Sequence, residues 1–181
     1  MKFGAAKGLS DVLLLVLGTG VGGSVVMNGK VHHGQHLFGG EFGFMLMDDE
    51  HSFSTLGTTI RMAERYNKRT GETLDAIEIF EKAFNGDEIA NEEKEIFLYN
   101  VAKGIFNLTY SFDPELVIIG GGVSQAEWLI PELQKQLQKI MEIIEVATFM
   151  PEIVTCEFRN SANLIGAAVD FSQTYANKTD K

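Results

Sequence analysis

Cysteine, proline and tryptophan are scarce in this sequence: its 181 residues include one cysteine, three prolines and one tryptophan. With Cys156 as the only cysteine, an intramolecular disulfide and a cysteine-rich zinc centre are both excluded. No apolar run reaches the roughly 20 residues of a membrane-spanning helix, and no signal peptide is visible. These absences make a cytoplasmic protein the expectation.

Positive charge is also scarce, with 15 Lys and Arg against 25 Asp and Glu, which gives a formal net charge of −10. A general nucleic-acid or anionic-membrane surface needs clustered basic residues, so neither partner is expected. Hydrophobic residues make up 45% and charged residues 22% of the chain, as in ordinary globular domains. A local phosphate site remains possible, because backbone N–H groups can bind phosphate without side-chain charge.

Glycine is plentiful, with 19 residues, and the stretch Leu13–Glu41 is the most informative. The apolar run Val12–Leu17 predicts a buried strand, because it contains no polar residue and ends at glycine. Asn28-Gly29 separates two short β-type runs and predicts a two-residue hairpin turn, which needs positive φ at both central residues. We therefore expect a strand, a glycine-rich turn and two further antiparallel strands.

The turn Gly18–Gly23 has two possible roles. Gly18, Thr19, Gly20 and Gly22 expose backbone N–H groups that could cradle a phosphate, and glycine lets the backbone approach it closely. The alternative is a strained turn in which glycine is needed only for φ. The turn is neither a Walker A loop, since no Gly-Lys-Ser/Thr follows, nor a Rossmann fingerprint, since a strand follows instead of a helix.

The rest of the chain alternates helices and strands. The patterns predict strands over 116–119 and 153–158, and helices over about 54–68, from 73, over about 88–111, from 124 or 125, and from a cap at Asn160 or Ser161 to about 175. In the helix over 88–111 one apolar face contains Phe97, Val101, Ile105 and Leu108, and Asp113-Pro114 is expected to end it. Gly120, Gly121 and Gly122 end the first of these strands. Ligands of open α/β sheets bind at the carboxyl ends of strands, so the two glycine clusters could meet at one nucleotide. Alternatively, the second cluster only turns a buried strand toward its helix.

Several motifs together resemble the ROK family of bacterial sugar kinases and sugar-responsive repressors. Leu17–Gly23 is similar to the family's second phosphate motif, and His33–Gly43, with Gly39-Gly40-Glu41-Phe42-Gly43, is similar to its sugar segment. Pro114–Val123 resembles the adenosine motif, and Leu164–Ala168 resembles the closing helix. The resemblance implies an actin-like, hexokinase-like ATPase domain: a mixed sheet of three antiparallel strands plus parallel strands, with helices on its faces.

The chain also departs from the family pattern. The family's histidine after Glu-x-Gly is Phe44 here, and the zinc segment expected near Asp48–Ser54 is missing. The resemblance is therefore to the zinc-less members of the β-glucoside kinase type, and we expect no zinc. The family's Asp-x-Gly-x-Thr turn and its general-base Asp have no counterpart either. Residues 1–181 are expected to be a C-terminal domain without its N-terminal domain, with the base upstream and no catalytic residue in this chain.

For the intact protein, the resemblance implies phosphorylation of a sugar or glycoside hydroxyl by ATP with Mg²⁺. Gly18, Thr19, Gly20, Gly22 and Gly120–Gly122 would bind the nucleotide, and Glu41 and His33 the sugar. His33 also has His32 and His36 nearby, but no carboxylate or cysteine is arranged around them, so a surface or sugar-side role is favoured over a metal site. A homodimer is expected. The alternative is a sugar-sensing repressor or a non-catalytic sugar-binding protein of the same fold.

Overall fold

A mixed sheet forms the centre of the molecule, whose computed structural model describes residues 3–158 and 161–175. Its strands are β1 Val12–Leu17, β2 Val21–Met27, β3 Lys30–Val31, β4 Leu116–Gly120 and β5 Ile153–Thr155. The strand order across the sheet is β3-β2-β1-β4-β5. The pairs β1–β2 and β2–β3 are antiparallel, whereas β4 pairs parallel with both β1 and β5. The predicted mixed sheet is confirmed.

The hairpin between β2 and β3 forms as the sequence predicts. Asn28 and Gly29 have φ angles of 52° and 72°, the left-handed conformations that a type I′ turn needs at both positions. β1 and β4 lie at the centre of the sheet with partners on both sides. Both strands are almost wholly apolar because their side chains enter buried clusters on both faces of the sheet: Leu13, Leu15 and Ile119 on one face, and Val12, Leu116 and Ile118 on the other.

Helices follow the hairpin, and the first five share one buried cluster with one face of the sheet. They are α1 Phe53–Leu56, α2 Thr59–Thr70, α3 Ala76–Phe84, α4 Glu88–Phe112, α5 Leu129–Ile143 and α6 Ala162–Tyr175. Four of them start at a side chain that accepts a hydrogen bond from the first turn, the caps being Ser52, Thr58, Asp75 and Asp87. Asn160, one of two predicted caps of α6, lies outside the described residues.

The segment 54–68 was predicted as one helix, and this prediction is wrong. The chain forms α1 and α2 there, because Gly57 ends α1 and extended backbone at Thr58 (φ −122°, ψ 145°) caps α2. The buried ring of Phe53 packs against Gly57, where a Cβ would lie 2.5 Å from it. Packing of one aromatic ring therefore sets the break, and helical periodicity does not report it.

Two further boundaries also differ from the prediction. The helix expected from Ser124 or Gln125 begins at Leu129, because 122–125 form a 3₁₀ turn in which Ser124 Oγ donates to the carbonyl of Gly121 at 2.7 Å. The strand expected over 153–158 ends at Thr155, where pairing with β4 ends.

Helix α4 is the centre of the core between the sheet and the other helices. Its predicted stripe is buried: Phe97, Val101 and Ile105 are 0% exposed and Leu108 is 3% exposed. The helix contacts α1, α2, α3 and α5. A smaller cluster on the opposite face of the sheet comprises Ala6, Val12, Leu116 and Ile118.

Candidate functional site

The two glycine turns lie side by side at one edge of the sheet. We call Gly18–Gly20, after β1, the first glycine turn, and Gly120–Gly122, at the end of β4, the second glycine turn. β1 and β4 run parallel with Val16 paired to Gly120, so both turns leave the same edge. A Cβ on Gly121 would lie 2.0 Å from the carbonyl oxygen of Leu17, which shows how closely they approach. The predicted co-location is confirmed.

The first glycine turn keeps a small set of backbone donors available. The N–H of Gly18 donates within the turn to the carbonyl of Gly20 at 3.0 Å. The N–H groups of Thr19 and Gly20 have no backbone or side-chain acceptor among the described residues, and the Thr19 side chain is exposed. Two adjacent N–H groups and one hydroxyl can therefore meet an anion at this turn.

Gly22 does not lie in that turn. It belongs to β2 and pairs with Val16 of β1. Successive N–H groups of an antiparallel strand point to opposite sides, and that of Val21 points away from β1, to Ser54 Oγ at 3.0 Å. The Gly22 N–H therefore points toward Val16 and is not available to a ligand. Gly22 could contribute to a ligand site only through the space that the absence of a side chain leaves open.

The second glycine turn opens onto a cavity. Gly121 has a φ of 94°, a conformation that favours glycine. Apart from its neighbours in the chain, no described residue has an atom within 4 Å of the place where a Cβ on Gly122 would be, and Gly122 lines a cavity of about 680 Å³. The backbone of this turn is therefore open to a ligand.

The wall of the cavity is largely aromatic and aliphatic, with α3 on one side and the segment after β4 on the other. The ring of Trp128 lies 4.6 Å from that of Phe80 and 5.5 Å from that of Phe84. The lining residues are Thr59, Ala76, Ile77, Phe80, Glu81, Phe84, Gly122, Val123, Gln125, Ala126 and Trp128. An apolar slot beside glycine backbone suits a flat heterocyclic base.

Sequence reasoning missed this wall. Phe80 and Phe84 lie at helical spacing among other apolar residues, and Trp128 stands beside Leu129 and Ile130, so none of the three points to a ligand site in the sequence. The available signal was weak: both helical stripes and cavity walls consist of apolar residues, so the sequence pattern alone does not separate them.

The predicted sugar residues lie on the segment that follows β3. Gly40 packs on the backbone of β2, since a Cβ there would lie 2.6 Å from the Gly23 carbonyl oxygen, and the ring of Phe42 fills the space over Gly23. Between them, Glu41 is exposed and its carboxylate has no partner among the described residues. His33 is exposed too, and its carbonyl accepts from the Gly39 N–H at 2.9 Å. The backbone is thus fixed around a free carboxylate.

Metal ligands do not gather at this edge. Within residues 3–158 and 161–175, no three His, Cys, Asp or Glu side chains are close enough to hold a metal ion. Where the family has its zinc segment, the chain has an acidic loop in which His51 Nδ1 lies 2.9 Å from Asp48 Oδ1. Hydrogen bonds lower the pKa of Asp48, and the bond donated by the Glu50 N–H has the largest effect.

No helix of the described part could cross a bilayer.

The sheet topology and the paired turns at its edge define an actin-like, hexokinase-like fold, and the chain belongs to the ROK family, whose model it matches over residues 1–173. Two relatives are the β-glucoside kinase of Listeria monocytogenes, 32% identical over 94% of this chain and 59% of that protein, and the N-acetyl-D-glucosamine kinase of Haemophilus influenzae, 33% identical over 88% of this chain and 58% of that protein.

A solved structure agrees with this assignment. A ROK family protein of Streptococcus pneumoniae in complex with sucrose superposes with a TM-score of 0.87 at 32% identity, over 94% of this chain and 61% of that one. The chain therefore spans about three fifths of the length of the proteins it resembles.

Proposed function

We propose that the intact protein transfers the γ-phosphoryl group of ATP to a hydroxyl of a sugar or glycoside, and that this chain is its C-terminal domain. The observation that carries the proposal is the co-location of the two glycine turns at one sheet edge, beside the cavity at Gly122. Named kinases among the relatives support phosphoryl transfer as the kind of reaction.

The residues of this chain fit an adenine nucleotide. The base would enter the apolar cavity between Phe80, Phe84 and Trp128, and the ribose would lie against the second glycine turn. The N–H groups of Thr19 and Gly20 would donate to the phosphates. ATP, when bound with Mg²⁺, supplies the phosphoryl group, and the chain's contribution is to position it and to stabilise its negative charge.

On the sugar side, Glu41 would accept hydrogen bonds from substrate hydroxyls, with exposed His33 at the same segment. The proton of the attacking hydroxyl would go to a carboxylate outside this chain, in the N-terminal domain of the intact protein. No zinc is part of the proposal, and stoichiometric zinc in a chelator-washed preparation would contradict this. A homodimer is the proposed assembly.

The single tryptophan provides a direct test of the nucleotide site. Trp128 lines the cavity, so titration with MgATP should change its fluorescence emission. Ala126→Phe, which fills the cavity, should abolish the change, whereas Ala5→Phe, at an exposed position outside the cavity, should preserve it. An unchanged emission of the wild-type protein at saturating MgATP would argue against a base in this cavity.

The reaction itself is tested with the intact protein, by assaying phosphate transfer from ATP to glucose, N-acetylglucosamine, N-acetylmannosamine and β-glucosides such as cellobiose. Transfer to at least one of them is expected. Sugar binding without transfer would favour the alternative, a sugar-responsive repressor or a non-catalytic sugar-binding protein.

A further inference from the structure

Ser54, in the short helix α1, lies between the first glycine turn and the segment that carries Glu41. Its Oγ accepts a hydrogen bond from the Val21 N–H at 3.0 Å, directly after the first glycine turn. The same oxygen lies 3.4 Å from where a Cβ on Gly20 would be and 2.3 Å from where one on Gly43 would be. One hydroxyl thus packs against the phosphate side and the sugar side of the site.

The acceptor matters because its donor is cut off from water. Val21 is 4% exposed, and its N–H points away from the β1–β2 ladder, where no acceptor other than Ser54 Oγ is found in the described part of the chain. A buried N–H without a partner is costly, so the hydroxyl holds Val21, and with it the end of the first glycine turn, in one position.

The serine is itself held rigidly. The Phe53 N–H donates to the Met45 carbonyl at 2.7 Å, and the fully buried Phe53 ring lies against Gly104 of α4, where a Cβ would come within 2.3 Å of it. On the other side, the Ser54 carbonyl accepts from Thr58 Oγ1 at 3.1 Å. Thr58 caps α2, whose first residue, Thr59, lines the cavity.

We propose that Ser54 is a positioning residue for phosphoryl transfer: its hydroxyl fixes the first glycine turn relative to the Glu41–Gly43 segment. The proposal rests on the function proposed above. It explains the absence of a side chain at Gly43, because a Cβ would collide with both Ser54 Oγ and the Val21 carbonyl oxygen. Ser54 acts through the backbone of the turn, and small displacements of such backbone lower transfer rates strongly.

The test compares variants of the intact protein, with MgATP as the varied substrate and the sugar that the wild type phosphorylates fastest held at saturation. Ser54→Ala should lower kcat/KM for MgATP about 10- to 100-fold, while the Kd for the sugar, measured by calorimetry, stays within about twofold. Ser54→Thr keeps the hydroxyl and should retain activity within about threefold.

The matched control is Ser52→Ala. Ser52 lies on the same short segment, and its Oγ bonds only Thr55 among the described residues, accepting from the Thr55 N–H at 3.3 Å. Because this hydroxyl touches neither glycine turn nor the Glu41–Gly43 segment, kcat/KM should stay within about twofold. If Ser54→Ala does not fold, Ser54→Cys decides, because it keeps a similar volume with a weaker acceptor. Its activity should fall in the same direction.

Wild-type kcat/KM in Ser54→Ala or in Ser54→Cys, equal losses in Ser52→Ala and Ser54→Ala, or a Ser54→Thr variant as impaired as the alanine variant would each overturn the proposal. Failure of the proposed function looks different, because the wild type would then phosphorylate no sugar. In that case MgATP titration by Trp128 fluorescence still decides: at least about tenfold weaker binding by Ser54→Ala supports the role of Ser54, and equal binding refutes it.

Discussion

Gly20 and Gly121 face different constraints at the same sheet edge. Gly121 has a φ of 94° and no room for a Cβ beside Leu17, whereas the nearest atom to a Cβ on Gly20 is Ser54 Oγ at 3.4 Å. We expect Gly121→Ala to destabilise the fold by more than about 2 kcal/mol. Gly20→Val should change the melting temperature little but weaken MgATP binding about tenfold or more, by blocking close approach of phosphate.

Thermal unfolding and Trp128 fluorescence titration measure the two effects separately. If Gly20→Val unfolded as readily as Gly121→Ala, the first glycine turn would have a purely structural role, which is the alternative that the sequence leaves open.

Glu41 is predicted to act on substrate without contributing to stability. Its carboxylate is exposed and unpaired among the described residues, so Glu41→Ala should change the free energy of unfolding by no more than about 0.5 kcal/mol. The variant of the intact protein should raise KM for the sugar about 10-fold or more, through lost charge-assisted hydrogen bonds. Glu50→Ala, at another exposed carboxylate, is the control and should leave KM unchanged.

We expect the sheet edge opposite the glycine turns to lose stability in acid. The N–H groups of Asp11 and Ser10 donate to Glu115 Oε1 at 2.9 and 2.7 Å, and these bonds lower the pKa of Glu115. Bonds from the Ser10 hydroxyl and the Asn28 N–H likewise lower the pKa of Asp11. Because both pKa values are lower in the folded than in the unfolded state, the stabilisation is present near neutral pH and is lost as pH falls through the folded-state values.

Melting curves from pH 7 to pH 3 test this. Glu115→Gln should melt below the wild type at pH 7, and the difference should shrink as the pH falls, because the wild-type carboxylate becomes protonated as well. A difference that does not depend on pH would mean that the ionised carboxylate is not what stabilises this edge.

At the scale of elements, one buried carboxylate joins α2 to α4. Glu93 is 2% exposed and binds Arg65 Nε at 2.7 Å and Arg69 Nη1 at 2.9 Å. We expect Glu93→Ala to destabilise by about 2 kcal/mol, below the usual cost of breaking a buried pair, since both arginines retain access to water. The control is Glu92→Ala, which removes an exposed partner of Arg69 and should cost less than about 1 kcal/mol. Urea unfolding of both variants measures the two free-energy changes.

Boundaries of elements were predictable where a local residue sets them. Asp113 and Pro114 end α4 as expected, with Asp113 in a left-handed conformation at φ 46°, and Gly71 ends α2 at φ 78°. The break between α1 and α2 was not predictable from helical periodicity, because it depends on how the Phe53 ring packs, against Gly57 beside it and against Gly104 of α4.

For the whole chain, we predict a domain that folds but does not transfer phosphate alone. The core between the sheet and α4 is continuous, which supports independent folding. The general base is proposed to lie outside this chain, and the loss of such a group typically costs about 10²- to 10⁴-fold in rate. The purified chain should therefore unfold cooperatively yet show no measurable sugar phosphorylation.

Helix α6 adds an expectation about self-association. Leu164 and Phe171 are 75% and 66% exposed, and such exposed apolar side chains favour association when uncovered. Sedimentation at increasing concentration should show it. A rate of sugar phosphorylation by the isolated chain near that of the intact protein would show that the base lies within residues 1–181.

The sequence by itself determined the features that depend on neighbouring residues. The strand Val12–Leu17, the Asn28-Gly29 turn and the buried stripe of α4 follow from an apolar run, a φ requirement and a helical period. The co-location of the glycine turns at one edge also followed, because parallel strands end on the same side of a sheet.

Only the tertiary structure decided which atoms those features meet. Periodicity shows that a face is buried but not what covers it, so the aromatic wall around Trp128 and the break at Gly57 were invisible in the sequence. Strand pairing turned the Gly22 N–H toward β1 and left the Val21 N–H to Ser54. The direction of a hydrogen bond depends on a partner 33 positions away in this case, and that information exists only in the folded chain.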